Sequence, residues 1–363
     1  MKIGDIQTPA VLIETETLHR NLRRLADYCK EHDLALRPHT KTHKIPEIAK
    51  LQVKYGASGI TVAKLAEAEV MANAGISDIN VVYPLWGDSK WRRLSELAKR
   101  NQITVTMDSL SVAEGISRVA KQAGVDIGIR LEFDTGFGRC GLPLERRSIE
   151  SAQRIIALPN LRWEGVSTYP GHIMGNRQVR EQDIVHENAQ LDRLFALLDA
   201  AGISYPVVSG GNTPSAFESH RFHGLTEIRP GTYVFNDRNT VDAESASYAD
   251  CAAAVLTTVV STSVPHRAIL DAGSKMFSGD ALLSGERKYF GYVQNHPELT
   301  LANLSEEHGH LLVPDKTALR VGDRLRVIPN HICPCINLQD HVFLVSGDQV
   351  LDQWKVAGRG MVS

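Results

Sequence analysis

Residues 58–83 read SGITVAKLAEAEVMANAGISDINVVY, one complete strand–helix–strand unit. The run Ser58–Val62 is short, apolar and rich in β-formers. It is followed by AEAEVMANAG, where apolar residues recur at three- and four-residue steps, and then by a second apolar run, Ile79–Tyr83. The outer segments carry the period of a strand and the middle one that of a helix, and Gly75 stands where a helix C-cap falls. Outward from this unit the alternation spans about residues 34 to 236. Its apolar runs are Leu34–Thr40, Ser58–Val62, Ile79–Tyr83, Ile103–Met107, Ile127–Phe133, Gly165–Tyr169, Pro206–Ser209 and Glu227–Val234, eight in all. The segments between them, such as AQLDRLFALLDAAG ending at Gly202, keep the helical period. Eight such units fit a (β/α)8 barrel of the TIM type. A doubly wound open sheet has the same local signature, and of the two the barrel is preferred.

After Asp237 the texture changes to β-branched clusters separated by turn residues: AAAVLTTVVSTSV, RAILDAG, LRVGDRLRVIPN and HVFLVSGDQVLDQWKVAG. These predict a second, mainly antiparallel β domain. The expected division is 10–238 for the barrel and 239–363 for the β domain, with residues 1–9 able to pack with the latter. The polar stretch NTVDAESASYAD, 239–250, is the expected linker.

The chain has 363 residues, 43% of them hydrophobic and 23% charged, which excludes a disordered or fibrous protein. Forty Lys+Arg against 42 Asp+Glu give a formal net charge of −2, so no global basic field is available to hold nucleic acid or an anionic membrane. A small molecule is the expected partner. No run approaches the length of a membrane span and the N-terminus lacks a signal pattern, so a cytoplasmic protein is expected. Five scattered cysteines do not form a disulfide framework.

In a barrel, chemistry sits at the C-terminal ends of the strands. The first run, LALRPHTKTHK (34–44), alternates so that Leu34 and Leu36 share one face and Arg37, His39 and Lys41 the other. Lys41 at its end suits a covalent or ion-pairing role, or a solvated strand end. EFDTGFGRCG (132–141) surrounds Arg139 with glycines. There an arginine can meet an anionic oxygen, or the stretch is a plain turn. STYPGH (167–172) presents Tyr169 and the titratable His172, which suits proton transfer. SGGNTPS (209–215) and EIRPGTYVFND (227–237) follow the last two runs, where a barrel holds phosphate. Gly211, Asn212, Thr213, Gly231 and Thr232 would supply donors, with Arg229 beside them. A lysine facing a phosphate cradle suggests a Schiff base to pyridoxal phosphate; a metal-free sugar-phosphate aldolase would use similar parts. In PNHICPC (329–335), His331 and Cys333 are two apart. On one face of an extended segment they suit a divalent ion such as zinc, unless they are a surface histidine beside a buried cysteine. His308 and His310 are further candidates.

Taken in order, RPHTKTHK, DTGFGRCG, SGGNTPS, EIRPGTYVFND, DAGSK, EEHG and PNHIC resemble the D-threonine aldolase and D-serine dehydratase family, of the alanine-racemase-like fold. The resemblance covers nearly the whole chain. It implies a pyridoxal-phosphate enzyme in which Lys41 binds the cofactor covalently and Tyr169 and Arg139 lie beside it. It further implies a phosphate cup around Gly211, Thr213, Gly231, Thr232 and Tyr233, and Arg229 at the pyridine nitrogen. His331 and Cys333 would hold a divalent metal (Zn, Mn or Mg) at the β-hydroxyl of a D-amino acid. Lys41 and His172 are the catalytic candidates, and a homodimer is implied. Threonine aldolases of the family often carry a carboxylate where Cys333 stands, which tilts the expectation towards β-elimination over retro-aldol cleavage. A racemase and a pyridoxal-phosphate-binding protein without turnover are the alternatives. The racemase is disfavoured because the nearest string to its tyrosine motif, SYADC, lies in the expected linker.

Overall fold

The structure is a computed structural model that describes residues 1–284 and 287–363. Ten strands position the site: β1 (Ala10–Glu14), β2 (Ala35–Leu36), β3 (Ile60–Val62), β4 (Asp78–Val82), β5 (Gln102–Met107), β6 (Ile127–Glu132), β7 (Leu161–Ser167), β8 (Val207–Gly210), β9 (Glu227–Ile228) and β10 (Ala253–Ser261).

Strands β2 to β9 form one parallel sheet in the order β2-β9-β8-β7-β6-β5-β4-β3, each central neighbour joined by a helical crossover. A parallel bridge between His39 and Thr61, with the Thr61 N–H donating to the Pro38 carbonyl at 2.9 Å, brings the two ends of the sheet together. All eight expected runs overlap a strand of this sheet, with β7 beginning four residues before the expected Gly165. Strand alternation sends Ile79, Val81, Ile103, Val105, Ile127, Ile129 and Leu131 outward, where they are fully or almost fully buried with Met71, Leu94, Ile116, Leu194 and Leu198 of the helices. Each such side chain contributes roughly 1.5–3 kcal/mol of burial. The opposite face carries Thr61, Asn80, Thr104, Thr106, Arg130, Glu132, Ser167, Ser209 and Glu227, all buried. The interior of this sheet is therefore polar, and its charges have to be compensated in place.

They are. Glu227 accepts Arg37 Nε at 2.8 Å, a second bond from Arg130, and the Ser209 hydroxyl. Arg37 also meets Asp78 at 2.6 Å, and Arg130 lies 3.4 Å from Glu164. A Cβ on Gly59 would collide with the Arg37 guanidinium and with the Asp78 carbonyl, so this position must stay small. Burial alone would raise the Glu227 carboxyl, but Arg37 and Arg130 hold it down at about 2.

The second unit is built on an antiparallel sheet. β1 pairs antiparallel with β10 and parallel with His341–Ser346, while β10 also pairs with Arg267–Leu270 and Arg324–Pro329. This corrects the expected boundaries: the β unit takes Met1–Arg23, Thr42–Ile45 and Thr232–Gly360, and the barrel takes Arg24–Lys41, Pro46–Gly231 and Met361–Ser363. Residues 10–23 leave the barrel because β1, with Val11, Leu12 and Ile13 buried, is a core strand of the antiparallel sheet. The N-terminal turn is tied there too, since the Arg324 guanidinium donates to the carbonyls of Ile3 and Gly4. The stretch 239–250 is not a linker but part of the β unit: Asp237 caps a short helix, Arg238–Asp242, and Tyr248 stacks on Tyr292 at 3.7 Å. Among the described residues no helix is long and apolar enough to cross a membrane.

Candidate active site

Lys41 lies not in a strand but in the turn Thr40–Thr42 that follows β2. The alternation put Arg37 and His39 correctly in the buried interior; the strand ends at Leu36, and the N–H groups of Arg37 and His39 go to Ile228 O, at the end of β9, and to Pro230 O, just past it. The Lys41 N–H reaches His39 Nδ1 at 3.3 Å, and its ammonium stands 5.9 Å from the centre of the Tyr169 ring. Arg139, from the glycine-rich loop after β6, stacks over the same ring at 4.1 Å, and Phe137 meets it edge-on at 5.3 Å. Lys41, Tyr169 and Arg139 are thus brought together as expected, with Arg139 lying on an aromatic face.

Arg229 follows β9 and is buried. It donates to the Ser209 hydroxyl and, at 2.9 Å, to the Thr168 carbonyl. Burial lowers its guanidinium to about 10 against the opposing pull of Glu227 and Glu132, so it remains protonated at neutral pH. Ser209 links it to Glu227, and the polar interior of the barrel ends at this arginine.

The two glycine turns leave the backbone N–H groups of Gly211, Asn212 and Gly231 without hydrogen-bond partners among the described residues, although all three residues are buried. Buried donors are otherwise almost always paired, and converging amides fit a phosphate. Asn212 serves by its backbone alone: its side chain is taken up by the carbonyls of Pro170 and Ile173 and by Ser215. Thr213 is half-buried, Tyr233 is buried in the turn Thr232–Val234, and Thr232 places its hydroxyl 3.7 Å from Cys333 Sγ. On these grounds the barrel residues fit pyridoxal phosphate: an amine beside an aromatic face, an amide cradle and a buried guanidinium.

His331 and Cys333 do not lie on one extended face. His331 is the N-cap of the helix Ile332–Asn337, and Cys333 is inside its first turn. The helix forms because the buried Asp237 carboxylate accepts the Ile332 N–H at 3.0 Å and Pro334 is tolerated in a first turn. His331 Nδ1 bonds Asp280 at 2.8 Å, and Cys333 Sγ lies 3.2 Å from the Thr42 hydroxyl. Burial would raise the Cys333 thiol, but His331 and Thr42 bring it below the ordinary thiol range. Burial disfavours the His331 cation, yet Cys333, Asp237 and Asp280 raise it to about 9. A nitrogen and a thiolate donor, with the histidine oriented by a carboxylate behind it, fit a borderline-soft divalent ion. Among the described residues no group of three or more His, Cys, Asp or Glu comes together, so His308 and His310 do not join this pair.

Residues 13–239 match the alanine racemase N-terminal domain and residues 252–345 a putative serine dehydratase domain. The chain is 33% identical to 3-hydroxy-D-aspartate aldolase of Paracoccus denitrificans over 99% of its own length and 94% of that protein's. The chain belongs to the D-threonine aldolase and D-serine dehydratase family. D-threonine aldolase of Filomicrobium marinum superposes with a TM-score of 0.93 at 27% identity, covering 100% of this chain and 98% of that one. D-threo-3-hydroxyaspartate dehydratase of Delftia is 31% identical over 90% of this chain and 91% of its own. Its solved structures include a mutant with alanine in place of a histidine and another with alanine in place of a cysteine, two positions apart. The cysteine mutant is in the metal-free form and has a TM-score of 0.88 at 28% identity over 98% of both chains.

Within this family fold, sequence reasoning missed the residues that support the named ones. Asp280 carries no motif, and Asp237, the last residue of EIRPGTYVFND, does not stand out within it; only the tertiary fold brings them to His331 and Ile332. Glu187 did carry a signal. On the helix Arg177–Ala200 the buried positions run Arg180, Ile184, Glu187, Leu191, Leu194 and Leu198, and from Ile184 onward Glu187 is the one charged residue among apolar ones.

Proposed function

We propose that this chain is a pyridoxal-phosphate- and divalent-metal-dependent lyase acting on β-hydroxy D-amino acids, with β-elimination as its leading reaction. The observation that carries the choice is the paired nitrogen and sulfur donor set of His331 and Cys333, with Thr42, the residue next to Lys41 in the chain, against the cysteine sulfur. That set matches in type and spacing the histidine and cysteine altered in the dehydratase structures.

The cofactor, when bound, supplies an electron-withdrawing aldehyde carbon and ring. Lys41 would hold it covalently, give it up to the substrate amine, and then take the α-proton on its freed amine. Arg229, which stays protonated at neutral pH, would donate to the cofactor ring, and Gly211, Asn212 and Gly231 would hold its phosphate. Arg139 and Tyr169 would cover the reacting group. His331 and Cys333 would hold the ion, whose chemistry is Lewis-acid assistance at the β-hydroxyl. In elimination, the hydroxyl leaves as water with a proton delivered by the protein, and the released enamine is hydrolysed by one water to a 2-oxo acid and ammonia. In retro-aldol cleavage the hydroxyl proton is removed, the Cα–Cβ bond breaks, and glycine and an aldehyde result. The imidazole of His172 favours this second reading as a competing outcome of the same complex.

Asp280→Asn is expected to weaken zinc affinity by about 10–100-fold, because the carboxylate fixes the tautomer of His331. His331→Ala and Cys333→Ala should match chelated wild-type protein in both metal content and turnover. Isothermal titration with zinc beside turnover of a β-hydroxy D-amino acid tests this. Full turnover in metal-stripped His331→Ala would overturn the metal's part in the proposal.

A further inference from the structure

His172 follows β7 in the loop TYPGH, and Glu187 lies on the succeeding helix, whose Asn176 N-cap accepts the Val179 N–H at 3.1 Å. The Glu187 side chain is 1% exposed, and His172 Nε2 stands 3.8 Å from its Oε2. Both ring nitrogens of His172 and both carboxyl oxygens of Glu187 are buried with no partner at hydrogen-bond distance among the described residues, although the Thr135 hydroxyl is near enough to act on the carboxyl. Leaving such atoms unpaired is costly, and a buried carboxylate between Ile184 and Leu191 is costlier still. A separation of 3.8 Å is too long for a hydrogen bond, but pairs that work on a substrate commonly tighten only when it is bound.

We propose that Glu187 is the positioning residue of His172: its carboxylate receives the Nε2 proton of the imidazole and leaves Nδ1 to exchange a proton with the β-hydroxyl oxygen of the substrate. This rests on the function proposed above and serves either of its outcomes. In retro-aldol cleavage the proton passes from the hydroxyl oxygen to Nδ1 as the Cα–Cβ bond breaks. In elimination it passes from Nδ1 to the departing oxygen, which leaves as water. In both, Glu187 sets how tightly the imidazole holds the proton.

The surroundings agree with a shared proton. Burial raises the Glu187 carboxyl to about 7, with the Thr135 hydroxyl opposing and Asp134 adding to the rise. Burial lowers the His172 imidazole, with Asp183 and Asp134 opposing and His186 adding to the fall. The charged groups that face the pair are thus Asp134, from the loop after β6, and Asp183 and His186, from the helix of Glu187 itself. Asp134 is committed to the N–H groups of Gly136 and Gly138, at 3.0 Å each. Burial thus favours the neutral form of each group.

The test is a 15N-histidine NMR titration of the holoenzyme, with His172→Asn assigning the signal, run on wild type, Glu187→Gln and Glu187→Asp. In wild type the His172 signal should also report the Glu187 titration near 7 as a second step, and in Glu187→Gln that step should be missing. The corresponding limb of the kcat–pH profile should be lost with it. kcat should fall by about 10–100-fold while KM changes by less than about threefold, with partial recovery in Glu187→Asp. Folding should not suffer: a carboxyl raised in the fold contributes stability below its unfolded value of 4.5 and loses it as pH rises through about 7. Glu187→Gln should therefore equal or exceed wild type in thermal stability above pH 7. An unchanged His172 titration in an active Glu187→Gln enzyme rejects the pairing alone. A coupled titration in a protein inert to β-hydroxy D-amino acids upholds the pairing and rejects the reaction assigned above.

Discussion

Lys41→Ala is expected to remove the visible absorbance of lysine-bound pyridoxal phosphate and to lower turnover by about 10⁴-fold, since one amine serves both as covalent anchor and as proton acceptor. The turn Thr40–Thr42 presents this amine 5.9 Å from the centre of the Tyr169 ring, over which Arg139 also stacks. Lys44 is the natural rival, three residues on in the same KTHK run, but it is buried and belongs to the β unit. Borohydride reduction followed by peptide mass analysis separates them. The cofactor mass should appear on the peptide at Lys41; its appearance at Lys44 would overturn the assignment. Noncovalently bound cofactor should persist in Lys41→Ala, because the amides of Gly211, Asn212 and Gly231 are untouched.

Glu227→Gln is expected to be the most damaging substitution for the barrel. Glu227 is 3% exposed and faces Arg37, Arg130 and the Ser209 hydroxyl at once. Removing its charge leaves two buried guanidinium groups short of a counterion, a loss of about 3–5 kcal/mol. The pH dependence has a definite sign. Glu227 is held at about 2 in the fold against 4.5 unfolded, so its contribution is complete above 4.5 and fades as pH falls through 2. Wild type should lose stability across that window, and in Glu227→Gln this part of the acid sensitivity should be missing. Thermal unfolding from pH 2 to 7 measures both. Equal melting temperatures for the two proteins at pH 7 would show that the network is not what compensates the barrel's polar interior. The same substitution should also lower the proton affinity of Arg229 further, because Glu227 is one of the charges that oppose the effect of its burial.

Much of this was legible in the chain. The eight apolar runs each yielded a strand because a parallel sheet needs the same short β-rich segment again and again, and that period survives in sequence. Lys41, Tyr169, Arg139 and the two glycine turns were legible because they sit at strand ends, where position along the chain fixes position in the sheet. Alternation even indicated that Arg37 faces inward, although not that Glu227 and Asp78 receive it. Three things were not legible. The domain boundary failed because β1 pairs with β10, more than two hundred residues away, and a run of five residues does not reveal its partner. The extended geometry expected for His331 and Cys333 failed because the Asp237 cap turns that segment into a helix. Glu187 was overlooked because a glutamate in a charged helix reads as a surface residue until the stripe Ile184, Leu191, Leu194 and Leu198 is seen to pass through it.

The most direct test of the proposed function is product analysis after incubation of the purified chain with D-threonine, pyridoxal phosphate and zinc, with a chelated control and L-threonine in parallel. The account predicts 2-oxobutanoate and ammonia as the leading products, with glycine and acetaldehyde as the competing pair, from the D-enantiomer and only with metal. Unchanged D-threonine from a protein that binds the cofactor at Lys41, or recovery of the L-enantiomer with no cleavage product, would contradict it.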